Sequence, residues 1–165
     1  MALLLRNDSQ PDLVFCDPAD INTAGNVATL NGYFGTFSGT GFHLDCSGGV
    51  PGEFGYFLIG TGVEDPGIAI SNGHLCLSTV GGNQFGRYNV SGTLMDSVGQ
   101  FDAAANFQNF VGTAPSTGGI GFDVPSQIPT IGGTVTMGST WYFQLWYRDG
   151  VGGASNFSNV WGQAF

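Results

Sequence analysis

Lysine is absent from this chain, and arginine occurs only as Arg6, Arg87 and Arg148, against 12 acidic residues and a net charge of −9. A field of that sign repels phosphate backbones, so nucleic acid is excluded as a partner and a polybasic membrane patch cannot form. The absence of lysine places the protein outside the cell. Long apolar runs are missing as well, and none approaches the roughly 18 residues that span a bilayer. The opening MALLLR is too short for a signal core and lacks a basic flank, so the sequence reads as a mature or trimmed piece.

Histidine is scarce, at His43 and His74, and no G-x-S-x-G elbow is present. Nucleophilic catalysis by Ser or Cys needs a histidine base beside it. Glycoside hydrolysis needs two facing carboxylates. Glu53, Glu64, Asp65, Asp102 and Asp123 are available, but no spacing singles out a pair. The expectation is a protein without catalytic activity. GGNQFG (81–86) lacks the lysine and following helix of a phosphate loop.

Metal chemistry is equally thin. DPAD (Asp17, Asp20) and VEDPG (Glu64, Asp65) carry oxygen ligands suited to Ca²⁺. Neither has the rhythm of a calcium loop, and Asp before Pro or Gly ordinarily forms turns. Zinc would require His43 and His74 to meet across a sheet, whereas isolated strand histidines are more often half-buried hydrogen bonders. No cofactor is required, with calcium the one metal whose ligand chemistry is in view. Cys16, Cys46 and Cys76 are too widely spaced for a CxxC motif or a zinc ribbon. They allow one disulfide and one leftover thiol, with three pairings open.

What the chain does have is glycine, 29 of 165 residues, with seven prolines. Gly-Gly and Gly-Thr pairs punctuate short apolar runs, as in an all-β domain with many tight turns. The length suits one domain, commonly about 100–200 residues. No window of a dozen residues repeats at helical spacing; FDAAANFQNF (101–110) comes nearest, as one turn or a loop. Strands are expected at 13–16, 27–34, 41–46, 55–60, 67–70, 74–79, 86–90, 98–103, 133–137, 141–148 and 159–165. Pro51, Pro66, Pro115, Pro125 and Pro129 fall between them. Segment 112–132 reads as a long ordered connection wrapping one end of the domain. The expected fold is a single antiparallel β-sandwich, jelly-roll or Ig-like, over residues 13–165, preceded by an arm at 1–12.

The most informative stretch is WYFQLWYRDGVGGASNFSN (141–159). Alternation puts Trp141, Phe143, Leu145 and Tyr147 on one wholly apolar face, suited to packing against a second sheet. Tyr142, Gln144, Trp146 and Arg148 form the other face, suited either to packing under a loop or to meeting a ligand. Arg148 is expected to stack on Trp146 and pair locally as the strand enters a turn.

GEFGYFLIGTG, GHLCLSTVGGNQFGRYNV, GIGFDVP and STWYFQLWYRDGVGGASNFSN together resemble a β-rich module. It is often C-terminal in secreted multidomain proteins of environmental bacteria, and no activity is established for it. The likeness spans about residues 14–165. It implies an exported location and a disulfide between Cys16 and Cys76, leaving Cys46 as a buried free thiol. The end, NVWGQAF, departs from the alternating terminal strand usual in such modules, with Trp161 where a small residue is common.

Two non-catalytic functions follow as expectations. The first is a structural or assembly module of the cell exterior, adhesive or self-associating, with itself or other cell-surface proteins as partners. Its apolar Leu3, Leu4 and Leu5 would add as a strand to a neighbour's sheet edge. The second is a carbohydrate- or surface-binding module in which Tyr88, Tyr142, Trp146 and Trp161 stack on polysaccharide.

Overall fold

The computed structural model describes residues 13–36 and 39–165. The arm at 1–12, with Leu3, Leu4 and Leu5, lies outside the described residues. Thirteen strands follow one another: β1 (Leu13–Phe15), β2 (Thr29–Phe34), β3 (Phe42–Ser47), β4 (Phe54–Gly60), β5 (Val63–Ile70), β6 (Gly73–Leu77), β7 (Phe85–Arg87), β8 (Gly99–Phe101), β9 (Phe107–Asn109), β10 (Phe122–Asp123), β11 (Thr140–Arg148), β12 (Ser155–Phe157) and β13 (Val160–Ala164). The largest sheet runs β1-β13-β11-β4-β8-β9, with β12 added to β11 and β7 added to β4. A three-stranded sheet, β10-β3-β2, and a β5–β6 hairpin complete the set, and the named strand pairs are antiparallel throughout. The all-β sandwich expectation holds, with the hairpin as an added third layer.

The aromatic strand is the beam of this fold. Trp141, Phe143, Leu145 and Tyr147 are all buried, packed with Phe57 and Ile59 of β4 against Leu30, Phe42, Leu44 and Cys46 of the small sheet. Each fully buried side chain of this size contributes about 1.5–3 kcal/mol by leaving water. Rings meet mostly edge-on or tilted, as Phe101 with Tyr147 at 5.4 Å and Phe57 with Phe107 at 5.3 Å, the geometry that aromatic quadrupoles favour.

The opposite face of β11 lies under the hairpin. Tyr142 and Trp146 are half-buried there with Leu58, Cys76, Leu77, Phe157 and Val160. Gln144, between them, is fully buried. Its Oε1 accepts the Cys76 N–H at 3.0 Å, and its Nε2 donates to the carbonyls of His74 (3.0 Å) and Ser158 (2.8 Å). One amide thus holds β6 on the sheet where a backbone ladder cannot reach. The Cys16–Cys76 disulfide ties the residue after β1 to the same strand, and Cys46 is a buried free thiol. Burial foremost, and then the Asp45 charge, push the Cys46 thiol far above its ordinary value, which leaves it unreactive.

Several boundaries differ from expectation. Residues 101–110 form a hairpin: Asp102 Oδ1 accepts the N–H groups of Ala104 and Asn106 (2.9 Å each), turning β8 into β9. Segment 112–132 supplies β10 to the small sheet and buries Phe122, Val124 and Ile128, so it builds core rather than merely wrapping it. Residues 133–137 are not a strand. Val135 packs inward, but Met137 stands almost fully exposed, and Thr134 makes only an isolated bridge to Gln127. Pro66 lies inside β5, in the interval where its register with β6 shifts between Val63 and Ile68. A missing N–H is tolerated at such an irregularity.

Replacing Gln144 by leucine keeps the volume but strands one N–H and two carbonyls. Urea unfolding of Gln144→Leu is expected to show a loss of about 2–4 kcal/mol. A loss under about 1 kcal/mol would mean that these groups find other partners.

Candidate functional site

The polar run after β11 is an internal tie. Asp149 is buried, and its Oδ1 accepts both the N–H and the hydroxyl of Thr23, each at 2.7 Å. Its Oδ2 accepts Asn72 Nδ2 at 3.0 Å and Asn156 Nδ2 at 3.1 Å. Burial pushes this carboxyl up, but the donated hydrogen bonds outweigh it and hold the group below its ordinary 3.8. Ser158 Oγ accepts the Leu145 N–H at 2.9 Å, and Asn159 brackets Leu30, accepting its N–H at 2.7 Å and donating to its carbonyl at 3.2 Å. The RDG…SNFSN motif therefore joins loops and layers, and its carboxylate is fully used.

The histidines belong to separate layers, His43 in β3 and His74 in β6, and each pairs with its own aspartate. The main sheet stands between them, so the two rings do not meet. His43 Nδ1 contacts Asp123 Oδ1 at 2.7 Å, and Ser116 donates its hydroxyl to that same oxygen. Ser, His and Asp are thus gathered, but the carboxylate sits in the middle. The Ser116 hydroxyl is given to the carboxylate and not to the imidazole, so the order differs from that of a Ser-His-Asp triad. His43 Nε2 is buried without a hydrogen-bond partner among the described residues and faces Gly121, where an added Cβ would lie 2.7 Å away.

The two oxygen-rich loops do meet. Asp17, Asp20 and Asp65 line a cleft of about 230 Å³ with His74 and Ser158. Asp20 is held by His74 at 2.8 Å, Asp65 accepts the Cys16 N–H at 3.0 Å, and Glu64 turns away to the Ser78 hydroxyl at 3.0 Å. Among the described residues, no three His, Cys, Asp or Glu side chains converge as a metal would require.

The aromatic candidates separate clearly. Tyr88 is fully buried against Phe122 at 4.8 Å, so its place among exposed stacking residues is corrected: β7 ends by turning it into the core. Tyr142 packs edge-on to Phe15 at 5.9 Å and roofs Gly162, anchoring the β1 edge. Trp161 is half-buried over Gly32, where any Cβ would sit 2.9 Å from its Nε1 and 2.3 Å from the Phe42 ring. Its bulk is matched by that missing side chain. Arg148 does not stack on Trp146; among the described residues the cation–π contact is Arg87 over Phe85, at 5.9 Å.

Trp146 alone of the four opens onto a second cleft, of about 240 Å³. Register explains its lining. Trp146 stands opposite Tyr56 on β4 and Phe157 on β12, and Leu58 stands opposite Arg87 on β7, so all five share one sheet face. The Trp146 and Tyr56 rings lie 4.9 Å apart and 34° from parallel. Ile70 and Leu75 form the hairpin wall, and Phe85 with Arg87 forms the other. Tyr56 and Arg87 escape sequence reasoning because their nearness to Trp146 depends on strand register. The FGYFL alternation shows only that Tyr56 shares a face with Leu58.

Comparison of the chain with protein-family models, curated proteins and solved structures returned no match. The clefts are therefore read on their own chemistry.

Acid titration tests the Asp149 tie. Its folded carboxyl titrates below the unfolded one, so its stabilisation is present above pH 3.8 and is lost as pH falls through the lower folded value. Asp149→Asn is expected to cost about 2–3 kcal/mol at pH 7. It should also flatten the decline of urea midpoints between pH 5 and about pH 2.5. An unchanged acid limb would assign that decline to other carboxylates.

Proposed function

We propose that this is an exported, non-catalytic module that binds carbohydrate through the Trp146 cleft. The observation that supports the reading is the Trp146–Tyr56 pair, half-buried at the floor of an open cleft and held by strands on both sides. Aromatic faces stack on the C–H faces of sugar rings, and a site on strands keeps its geometry better than one on loops. The disulfide is compatible with export, and no described helix is long and apolar enough to cross a membrane. Glycan-array screening followed by tryptophan-fluorescence titration is the test. Trp146→Ala should weaken binding at least tenfold, whereas Trp161→Phe should leave it within about twofold, since single aromatic anchors carry about 2 kcal/mol in such sites. Equal effects of the two substitutions would remove the cleft from consideration.

A self-associating structural role is the second reading. One observation favours it: β1 ends the main sheet and pairs only with β13 among the described strands, and residues 1–12 lead directly into it. An unpaired edge is a template for strand addition. Light scattering and negative-stain imaging of the chain with and without residues 1–10 should show oligomers lost on truncation. A monomer in both forms would leave carbohydrate binding as the sole reading.

A further inference from the structure

Positive charge is scarce in this protein, with three arginines and no lysine, yet one of the two described arginines lines the aromatic cleft. Arg87 is exposed, and the ion pairs among the described residues are both His–Asp, so it has no carboxylate partner there. Among the described residues that line the cleft there is no Asp or Glu, and Asp17, Asp20 and Asp65 line a separate one. Phe85 lies two residues before Arg87 on the same face of β7, with its ring 5.9 Å from the guanidinium carbon. That contact restrains the guanidinium and leaves its planar fork of donors unspent. The hydrophobic floor beside it reduces competition from water, which strengthens a charge-assisted hydrogen bond made there.

We propose that the ligand is an acidic sugar, whose ring packs on Trp146 and Tyr56 while its carboxylate or sulfate is taken by Arg87. The proposal rests on the carbohydrate reading and specifies its substrate class. Arg87 is the recognition element for the anion, and the aromatic pair supplies contact area that does not depend on charge. The net charge of −9 opposes the approach of long polyanions. Beyond about 10 Å that repulsion is screened at 0.1 M salt, so short-range contact with Arg87 decides selectivity.

Calorimetric titration of the full chain would use three probes at 0.1 M salt: oligogalacturonate, its fully methyl-esterified form, and a sulfated galactan oligomer of similar length. The acid or the sulfated oligomer should bind at least tenfold more tightly than the neutral ester. Stronger binding of oligogalacturonate would identify a carboxylate as the anion, and stronger binding of the galactan a sulfate. Arg87→Gln should bring the preferred oligomer to within about twofold of the ester, with an unchanged melting temperature because the side chain is exposed. Equal binding of charged and neutral oligomers would overturn the acidic-sugar inference and leave the carbohydrate reading standing. A charge preference that survives Arg87→Gln would also overturn it. Absence of binding to any of the three, together with an empty glycan array, would overturn both.

Discussion

The seat of Gln144 between β11 and β6 is the contact on which the layering depends. A sheet covered on one side can turn its polar tips to water. β11 is covered on both, and the hairpin above it makes no backbone ladder with it. Apolar contact alone would let that hairpin slide, since burial carries no direction. The amide supplies direction, accepting from Cys76 and donating to His74 and Ser158. A buried polar group is tolerable only when so fully partnered. The disulfide at Cys76 then fastens the same strand covalently to the end of β1.

A chain without lysine must stabilise its buried acids by other means. Asp149 keeps its charge, stabilised by four neutral donors from Thr23, Asn72 and Asn156. Asp123 is treated in a similar way. Burial pushes its carboxyl up, while hydrogen bonds from Ser116 and His43 hold it below the ordinary range. Such ties are directional and short, which suits loops that must be fixed relative to one another. They also account for the Ser, His, Asp and Asn side chains that gather in several places. Much of their hydrogen-bonding capacity is spent inward, His43 Nε2 excepted.

Much of this was legible in residues 141–148. Alternation sorted that strand into a core face and a covered face, and the all-β class followed from glycine punctuation and missing helical periodicity. The pieces that escaped are those that pairing alone creates. β10 and β12 are two and three residues long, with no room for an alternating pattern, and exist because β3 and β11 offer partners. Residues 133–137 show the converse: a fair pattern with no neighbouring strand to extend. Tyr88 misled because a tyrosine among polar residues suggests exposure, whereas its hydroxyl is buried without a partner. The cleft was half legible. Trp146 was among the candidates, but Tyr56, Phe85 and Arg87 join it only once β4, β7 and β11 are in register.

The cleft itself follows from how the third layer is built. A two-stranded hairpin is narrower than the eight-stranded sheet beneath it, so it cannot cover the whole face. Gln144 and Cys76 fasten it over the middle of β11, which leaves Trp146 and Tyr56 at its margin. Half-buried aromatics at such a margin leave apolar surface in contact with water. Here they are neighbours across paired strands, walled by hairpin residues on one side and by β7 on the other. The apolar floor is therefore built from side chains held on paired strands and not on loops. Position also gives Arg87 its character. On an open surface of this acidic chain it would be drawn to a carboxylate. Among the described residues its cleft neighbours are aromatic and aliphatic, and it makes no ion pair.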